Sequence, residues 1–318
     1  MATAAAPDQK VEFGIYVPQL GFDYGQIRAR AEACEALGYH SIWFFDHLYG
    51  PQLPEVPALE GWTLATAVLA QTERLRVGHL VLSATFRHPA LLAKMATTLD
   101  VISGGRLELG LGSGSYAPEH DRAAMAWGTV AERTELLAET LEIVTRSFAE
   151  ESVTTAGPRF ALRDFPVRPR AVQQPRPPIH VGGAGERRTL PLVARYADVW
   201  NCPTYALAEL DTKRAALARE CTAIGRDPAS LRLSIESVLV LAADDSALVD
   251  AQARAAHRFP GPGWGLDAGG FVGTPDTIIA RIRERVEQGF TFFVFFTHDR
   301  AAPETLELFA REVMPAFA

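Results

Sequence analysis

The stretch that begins at Arg76 decides the fold of this chain: RVGHLVLS at 76–83, PALLAKMATTLDVIS at 89–103 and LELGLGSGS at 107–115. The first and third segments have the apolar content of buried strands, and the middle segment has the periodicity of a helix. Gly104 and Gly105 follow this helix where a helix stop is expected. The stretch therefore predicts a strand, a helix and a second strand in succession.

The third segment ends in alternating glycines and serines. Glycine costs backbone entropy in a strand and offers no side chain for packing, so Gly110, Gly112 and Gly114 indicate close approach by another group. Ser113 and Ser115 add hydroxyls at the same end. Because ligands of α/β proteins bind at the carboxyl ends of parallel strands, this pattern predicts a ligand site.

The alternation of strand and helix continues along the chain. Eight strand-like runs alternate with segments of helical periodicity, and several runs are apolar at successive positions, as expected for strands buried on both faces. This pattern predicts an α/β fold, a (β/α)₈ TIM barrel, as a single domain over residues 1–318. The strands are predicted at EFGIYVPQ, SIWFFDH, RVGHLVLS, RLELGLGSG, PIHVGG, DVWNCP, LRLSIESVLV and FTFFVFFTH, and the helices at 23–37, 90–102, 130–148, 187–196, 206–224 and 275–287.

Two stretches interrupt the repeat. Residues 152–178, rich in proline and arginine, are predicted to form an insertion before the fifth strand, with a short hairpin around Gly157. Residues 255–270 are rich in glycine and proline and are predicted to form a long loop before the last helix. Because long loops in compact domains are usually functional or disordered, the loop with Trp264 is predicted to be either a lid or a mobile connector.

Composition excludes several classes of partner. The net charge of −7 and the lack of any Lys/Arg run argue against nucleic acid or an anionic membrane. Cys34, Cys202 and Cys221 have no paired spacing, so we expect neither a disulfide framework nor a metal site. The N-terminal segment lacks the pattern of a signal peptide, and no apolar run reaches the ~20 residues that span a bilayer. We therefore expect a cytoplasmic, soluble protein.

A polar pair, Asp46-His47, follows the apolar end of the second predicted strand. Histidine is the side chain best suited to exchange protons near neutral pH, so His47 is a candidate catalytic residue. The alternative is a hydrogen-bonded structural histidine at the rim. Asp46 is predicted either to orient His47 or to bond backbone amides of the next loop.

The ends of the third and sixth predicted strands add candidate site residues. The third strand is predicted to bring Ser83, Thr85 and Arg87 toward the same face, with a rim salt bridge as the expected role of Arg87. The sixth strand supplies Trp200 and Cys202, of which Trp200 is expected to pack in the core.

The fifth strand ends in Gly182, Gly183, Ala184 and Gly185, which are predicted to lead straight into a helix. Free backbone amides at a helix N-terminus, flanked by small residues, form a site suited to a phosphate. The pattern matches neither a Walker loop nor a dinucleotide-binding fingerprint, so a tight turn without a ligand is the alternative.

Taken together, these segments resemble the luciferase-like flavin- and deazaflavin-dependent oxidoreductases. The similarity extends from about Val11 to the C-terminus. The shared motifs occur along this chain in the same order as in the family. The Asp-His pair after the second strand is more similar to the branch that uses the deazaflavin coenzyme F420 than to the branch that uses FMN. The resemblance is carried by FFDH, TFRHPALLAK, LDVISGGRLELGLGSGS, AERTELLAETLEIV, PPIHVGGAGERRTLPLVARYADVWN and GTPDTIIARIRERVEQG.

The resemblance implies a barrel whose mouth holds a deazaflavin or flavin ring. By that resemblance Asp46 and His47 contact the polar edge of the ring and the substrate, and Leu80 and Val81 form a bulged segment behind the ring, often with a non-prolyl cis peptide bond. The remaining cofactor-binding residues implied are Ser113, Gly114 and Ser115 for the ring and chain, Gly182, Gly183, Ala184 and Gly185 for the phosphate, and Cys202 in the pocket lining.

One position departs from the family pattern. Sugar-phosphate dehydrogenases of the deazaflavin branch carry a catalytic glutamate after the strand-four glycines, whereas this chain has Ser115. A lysine cluster for a phosphorylated sugar is also not evident, so such a substrate is not expected.

The leading hypothesis is an oxidoreductase that transfers a hydride between reduced F420 and a small organic substrate with a C=C, C=N or C=O bond, or an alcohol. His47 would supply or accept the proton. The alternatives are an FMN-dependent monooxygenase served by a separate reductase, and a non-catalytic flavin-binding protein. A homodimer is expected from the family and from symmetry preferences.

Overall fold

A computed structural model describes residues 10–259 and 266–318 of the chain. The strands in these ranges are β1 (Glu12–Tyr16), β2 (Ser41–Phe44), β3 (Arg76–His79), β4 (Leu82–Ser83), β5 (Leu107–Gly112), β6 (Ser152–Val153), β7 (Phe165–Pro166), β8 (Ile179–Gly182), β9 (Val199–Pro203), β10 (Arg232–Leu241), β11 (Phe271–Gly273) and β12 (Phe290–Thr297).

The α-helices in the same ranges are α1 (Tyr24–Ala36), α2 (Gly61–Gln71), α3 (Pro89–Ser103), α4 (Ala117–Arg122), α5 (Val130–Ala149), α6 (Thr189–Tyr196), α7 (Leu210–Ala223), α8 (Asp245–Arg258), α9 (Pro275–Glu287) and α10 (Pro303–Leu308). Short 3₁₀ turns span Thr204–Glu209, Pro228–Ser230, Leu266–Ala268 and Met314–Phe317, and a π-helical turn spans Phe309–Val313.

The strands close into a parallel barrel. Strands β10, β12, β1, β2, β3, β5, β8 and β9 pair in that order, and β9 pairs again with β10. Strand β4 continues the third barrel strand and pairs with β5, while β11 extends the sheet beside β10. The predicted TIM barrel is therefore confirmed, with its eight strands in the part of the chain that the structure describes.

The predicted insertion is also confirmed. Strands β6 and β7 pair antiparallel and form a hairpin before β8, the fifth barrel strand. The prediction of one long loop over residues 255–270 was wrong in part, because α8 extends to Arg258 and Leu266–Ala268 forms a 3₁₀ turn. That segment also does not precede the last helix, since α10 follows β12. Trp264 lies outside the described residues.

Four helices were not predicted: α2, α4, α8 and α10. Helix α2 begins after Glu60, whose carboxylate accepts hydrogen bonds from the amides of Trp62 and Thr63. Glutamate is not among the favoured N-cap residues, so the start carries no usual signal. The predicted helix over 206–224 divides into the 3₁₀ turn Thr204–Glu209 and α7. Helices α1 and α5, which were predicted, begin with capping boxes.

The described residues form three hydrophobic clusters: one packs α8 against the end of β10, and the other two lie on the two faces of the barrel wall. The larger one fills the space between strands and helices, and each barrel strand contributes alternate residues to it, such as Ile235 of β10 and Phe293 and Phe295 of β12. The smaller one lies inside the barrel and is called here the inner cluster. It consists of Tyr16, Trp43, Phe45, Leu80, Phe292 and Val294, with Leu20, Ala58, Val81 and Phe296 packed against it.

A buried ionic group lies inside the barrel near the amino-terminal ends of the strands. Glu108, the second residue of β5, hydrogen-bonds Nε2 of His180 at 2.6 Å and pairs with Arg76. Burial alone would raise the pKa of Glu108, but the hydrogen bond and charge of His180 and the charge of Arg76 lower it to about 2. This end of the barrel is therefore closed by compensated charges.

Among the described residues, no helix is both long and apolar enough to cross a membrane. The same residues hold no cluster of three histidine, cysteine, aspartate or glutamate side chains arranged for a metal ion.

Candidate active site

The candidate site lies at the carboxyl ends of the barrel strands, where the sequence predicted it. The break between β3 and β4 falls at Leu80 and Val81, whose peptide bond is cis, as the family resemblance implied. Leu80 is buried and belongs to the inner cluster, and Val81 packs against that cluster. These two residues therefore form an apolar surface at the barrel mouth.

The glycines of β5 accommodate this break in the neighbouring strand. A Cβ on Gly110 would lie 1.9 Å from the carbonyl oxygen of His79, and one on Gly112 would lie 2.4 Å from Cγ2 of Val81. The close approach predicted for these glycines is thus made by the adjacent strand and not by a ligand. Gly114, with φ of 82°, begins the loop that follows β5.

Ser113 and Ser115 lie in that loop, Ser113 half-buried and Ser115 exposed. Among the described residues neither hydroxyl has a hydrogen-bond partner. Both hydroxyls are therefore free to bind a ligand, and their role in cofactor binding stays a prediction.

His47 is held by a residue that the sequence did not single out. Its Nδ1 lies 2.9 Å from Oε1 of Glu119, whose side chain is only 2% exposed. The other oxygen of Glu119 accepts the amide N–H of Leu48 at 3.0 Å. Because a carboxylate only accepts, the Nδ1–H of His47 donates to it, and Nε2 is left for a ligand.

Asp46 has a different role from its neighbour. Its carboxylate accepts two hydrogen bonds from the guanidinium of Arg87, at 2.7 and 2.8 Å, and one from the amide of Ser83 at 2.8 Å. Of the two alternatives stated for Asp46, the bond to a backbone amide is therefore present, whereas His47 is oriented by Glu119. Arg87 makes the predicted salt bridge, and the end of β2 is fixed to β4.

A chain of hydroxyl and imidazole groups runs beside this pair. Oγ of Ser83 lies 2.6 Å from Oγ1 of Thr85, which lies 2.6 Å from Nε2 of His120. The ring of His120 is enclosed by the aromatic rings of Phe86 and Trp127, with centroids 4.6 and 4.5 Å away. Helix α4 thus brings Glu119 to His47 and His120 to Thr85.

Sequence reasoning missed both Glu119 and His120. Their only signal is position, since they follow the glycine- and serine-rich end of β5 by a few residues. Helix α4 has six residues and no side-chain cap, so no helix pattern placed them at the site.

The glycine-rich turn after β8 presents free backbone donors. Among the described residues, no acceptor bonds the amide N–H groups of residues 184–187. Helix α6 begins at Thr189 and not directly after Gly185, as had been predicted, and the carbonyl of Gly185 accepts the amides of Thr189 and Leu190 at 2.8 and 3.0 Å. Consecutive free amides with exposed Arg187 and Arg188 beside them suit a phosphate.

Cys202 does not reach the barrel mouth. Its side chain is fully buried and packs in the larger hydrophobic cluster, and burial raises the pKa of its thiol to about 12. The preceding residue, Asn201, instead bonds Oγ of Ser234 on the neighbouring strand at 3.0 Å. The packing therefore favours Asn201 over the predicted Cys202 as the polar residue of β9 inside the barrel.

The residues present fit a ligand that combines a planar ring with a phosphate. The surface at Leu80 and Val81 is apolar, the hydroxyls of Ser113 and Ser115 are free, and the amides of residues 184–187 lack acceptors. A phosphorylated flavin or deazaflavin has this combination of groups.

Comparison with known proteins identifies the family. The family model described as "Luciferase-like monooxygenase" matches residues 4–291. An F420-dependent glucose-6-phosphate dehydrogenase from Microbacterium testaceum is 26% identical over 97% of this chain and 93% of that protein. An F420-dependent hydroxymycolic acid dehydrogenase from Mycobacterium tuberculosis is 29% identical over 74% of this chain, and the match spans 64% of that protein.

A solved structure shares the fold. The coenzyme F420-dependent tetrahydromethanopterin reductase from Methanopyrus kandleri superposes with a TM-score of 0.80 and 18% identity, over 97% of this chain and 100% of that chain.

Proposed function

This chain belongs to the luciferase-like monooxygenase family, and from that premise we propose that it transfers a hydride between coenzyme F420 and a small organic substrate. The observation that carries the proposal is the His47–Glu119 pair, whose free Nε2 lies at the mouth of a barrel related to F420-dependent dehydrogenases. The chain is an oxidoreductase, and F420 is its cofactor.

The residues that would hold F420 are those with free groups at the mouth. The amides of residues 184–187 bind the phosphate, the hydroxyls of Ser113 and Ser115 bind polar groups of the cofactor, and Leu80 and Val81 support the ring. When bound, F420 supplies or accepts the hydride, which no side chain of the protein can do.

His47 moves the proton that accompanies the hydride. Its Nε2 donates a proton to the substrate or accepts one from it, while Glu119 holds the ring in one orientation and stabilises the imidazolium. Glu119 and Asp46 act through their neighbours and are positioning residues in this proposal. Asp46 fixes Arg87 and the Ser83 amide, so that the strand end that carries His47 cannot move.

The substrate is not a sugar phosphate in this proposal. Ser115 replaces the glutamate expected of such enzymes. Two of the three lysines of the chain are engaged elsewhere: Lys213 pairs with Glu186 and Glu209, and Lys94 bonds the carbonyl of Arg168. The inner cluster instead offers an apolar floor, which suits an uncharged organic molecule.

The monooxygenase named in the family description is the second candidate function. It would use FMN and oxygen, with a separate reductase. Consumption of oxygen coupled to hydroxylation of the substrate distinguishes it from hydride transfer to a deazaflavin. The single domain, the cytoplasmic location and the homodimer remain predictions from the sequence.

Calorimetric titration of the purified protein with oxidised F420, and in parallel with FMN, tests the proposal. Tighter binding of F420, followed by its reduction or oxidation with an organic substrate, supports it. Preference for FMN would assign the protein to the monooxygenase alternative. Tight binding of either cofactor without turnover of any substrate would support the non-catalytic alternative.

A further inference from the structure

Two buried polar side chains inside the barrel have no role in the proposed function. Tyr16 ends β1 and Glu236 lies on β10, and each is only 7% exposed. Among the described residues, no hydrogen bond reaches the hydroxyl of Tyr16 or the carboxyl of Glu236. The polar atoms of Tyr16 and Glu236 are not among the fully enclosed unpartnered atoms, so both groups face a space that solvent or a ligand can enter. Unpartnered polar groups in such a space are available to bind a ligand.

Strand register directs Glu236 into the barrel. It pairs with Val294 of β12 and Pro203 of β9, and Val294 belongs to the inner cluster together with Tyr16. Its neighbour Ile235 packs on the other face of the sheet, in the larger cluster. Because side chains alternate along a strand, Glu236 faces the same interior as Tyr16.

Tyr16 approaches the same space from β1. Its ring packs edge-on against Phe296, with centroids 4.2 Å apart. It shares the inner cluster with Leu80, which forms part of the surface at the barrel mouth. The hydroxyl of Tyr16 and the carboxyl of Glu236 therefore flank one space, next to the proposed site of the ring.

No charge offsets the burial of Glu236. Among the described residues, Glu236 is faced by Tyr16 from β1, Asn201 from β9 and Val294 from β12, and Ser234 lies two positions before it on β10. None of these four residues is a cation. Burial raises the pKa of Glu236 to about 8, and burial together with the nearby Glu236 raises the pKa of Tyr16. At neutral pH both groups therefore carry a proton and can donate a hydrogen bond.

We propose that Tyr16 and Glu236 bind the carbonyl oxygen of the substrate, and that this substrate is an uncharged carbonyl compound with a conjugated C=C bond. The proposal rests on the hydride transfer stated above. Two O–H donors in an apolar site stabilise negative charge on an oxygen, and a neutral buried carboxylic acid paired with a tyrosine is known to do so.

The preference for a conjugated carbonyl follows from the lack of a hydrogen bond between this pair and His47. Neither Tyr16 nor Glu236 bonds His47, which packs against Phe45 and is held by Glu119. In a simple ketone the oxygen that is bound is also the atom that is protonated. In a conjugated carbonyl the oxygen that is bound and the carbon that is protonated are different atoms. Tyr16 and Glu236 can therefore bind the oxygen while His47 protonates the carbon.

In this reaction every electron pair and proton is accounted for. The hydride from the reduced cofactor forms a C–H bond at the carbon β to the carbonyl, and the π pair of C=C moves to leave negative charge on the oxygen bound by Tyr16 and Glu236. The resulting enolate takes a proton from Nε2 of His47 at its α carbon and regains the carbonyl. The substrate gains one hydride and one proton, the cofactor is oxidised, and His47 recovers its proton from water.

Binding of 2-cyclohexen-1-one to the full chain tests the inference, measured by calorimetry with and without oxidised F420. Tyr16→Phe should weaken binding about tenfold, because one donor is lost. Wild-type binding should weaken as pH rises through about 8, since Glu236 then loses its donor proton. Glu236→Gln keeps a donor, so it should bind within about threefold of wild type at neutral pH and lose this pH dependence.

An infrared band of a protonated carboxyl at pH 7, present in wild type and absent in Glu236→Gln, gives a readout independent of binding. Equal binding by wild type and Tyr16→Phe, or an unchanged pH profile in Glu236→Gln, would overturn the inference. Thermal melts confirm that both variants fold. Failure of F420 to bind would overturn the proposed function alone, because the ketone measurements without cofactor still test Tyr16 and Glu236.

Discussion

Glu108 and Glu236 lie inside the same barrel, on β5 and β10, and both are buried, yet their surroundings are opposite. Glu108 has a hydrogen bond to His180 and an ion pair with Arg76, which lower its pKa to about 2. Glu236 has no partner among the described residues, and burial raises its pKa to about 8. At the amino-terminal end of the barrel the buried carboxylate is thus compensated by its partners, whereas the mouth leaves a carboxyl without a partner.

The comparison predicts that residues at the mouth affect turnover and residues at the closed end affect stability. The largest effect is expected for His47→Ala, which should reduce turnover by ~10²–10⁴ because the proton donor is lost. Steady-state kinetics with F420 measures it, and calorimetry should show F420 affinity within about threefold of wild type. Unchanged turnover would remove His47 from the mechanism.

The matching change at the closed end is Glu108→Ala. Removal of one partner from a buried pair leaves His180 and Arg76 uncompensated, so the free energy of unfolding should fall by about 3–5 kcal/mol. Urea unfolding at pH 7 measures this loss. The control is Glu151→Ala, which breaks an exposed pair with Arg168 and should cost less than ~1 kcal/mol. Equal losses in the two variants would contradict the comparison.

The contribution of Glu108 to the free energy of unfolding should depend on pH in the acid range. Because the folded pKa of Glu108 lies below its unfolded value of ~4.3, its stabilisation is present above pH ~4.3 and is lost as pH falls toward 2. The stability of wild type should therefore fall across this window more steeply than that of Glu108→Gln. Parallel unfolding curves for the two proteins would show that Glu108 does not titrate as described.

The contribution of Glu236 to stability should change with pH in the opposite direction. Its folded pKa is raised above ~4.3, so its contribution to stability is lost as pH rises from about 4 to about 8. Glu236→Gln should therefore be more stable than wild type by about 3–5 kcal/mol at pH 8 and nearly equal at pH 4, since the amide does not ionise. Unfolding at both pH values, with exposed Glu55→Gln as control, measures it. A constant difference would contradict the assignment.

The smallest effect is expected for Glu119→Gln. The amide keeps a hydrogen-bond acceptor for His47 but loses the charge that stabilises an imidazolium, so kcat should fall about tenfold. The KM for F420 should stay within about threefold of wild type, because both oxygens of Glu119 are engaged by His47 and the Leu48 amide. A change in KM with constant kcat would instead indicate that Glu119 supports cofactor binding.

The barrel was predictable from the sequence because its signals are local. Apolar runs mark the strands, and Gly104, with φ of 63°, ends α3 where the sequence placed a helix stop. The carboxyl ends of those strands then located Asp46, His47 and the glycine-rich turn after β8 without knowledge of any contact.

The partners within the site were not predictable, because they depend on distant contacts. His47 and Glu119 are 72 positions apart, and only the placement of α4 brings them together. The glycines of β5 were assigned to a ligand, whereas they accommodate His79 and Val81 of the neighbouring strand. Cys202 and Asn201 are adjacent in sequence, and only strand register shows which of them faces the interior.

Helix α4 has a consequence for engineering this protein. Its neighbouring residues Glu119 and His120 reach two adjacent strand ends at the mouth, one through His47 after β2 and the other through Thr85 and Ser83 at β4. A substitution that shifts this six-residue helix therefore perturbs both strand ends at once. Mutant libraries aimed at new substrates should therefore keep α4 constant.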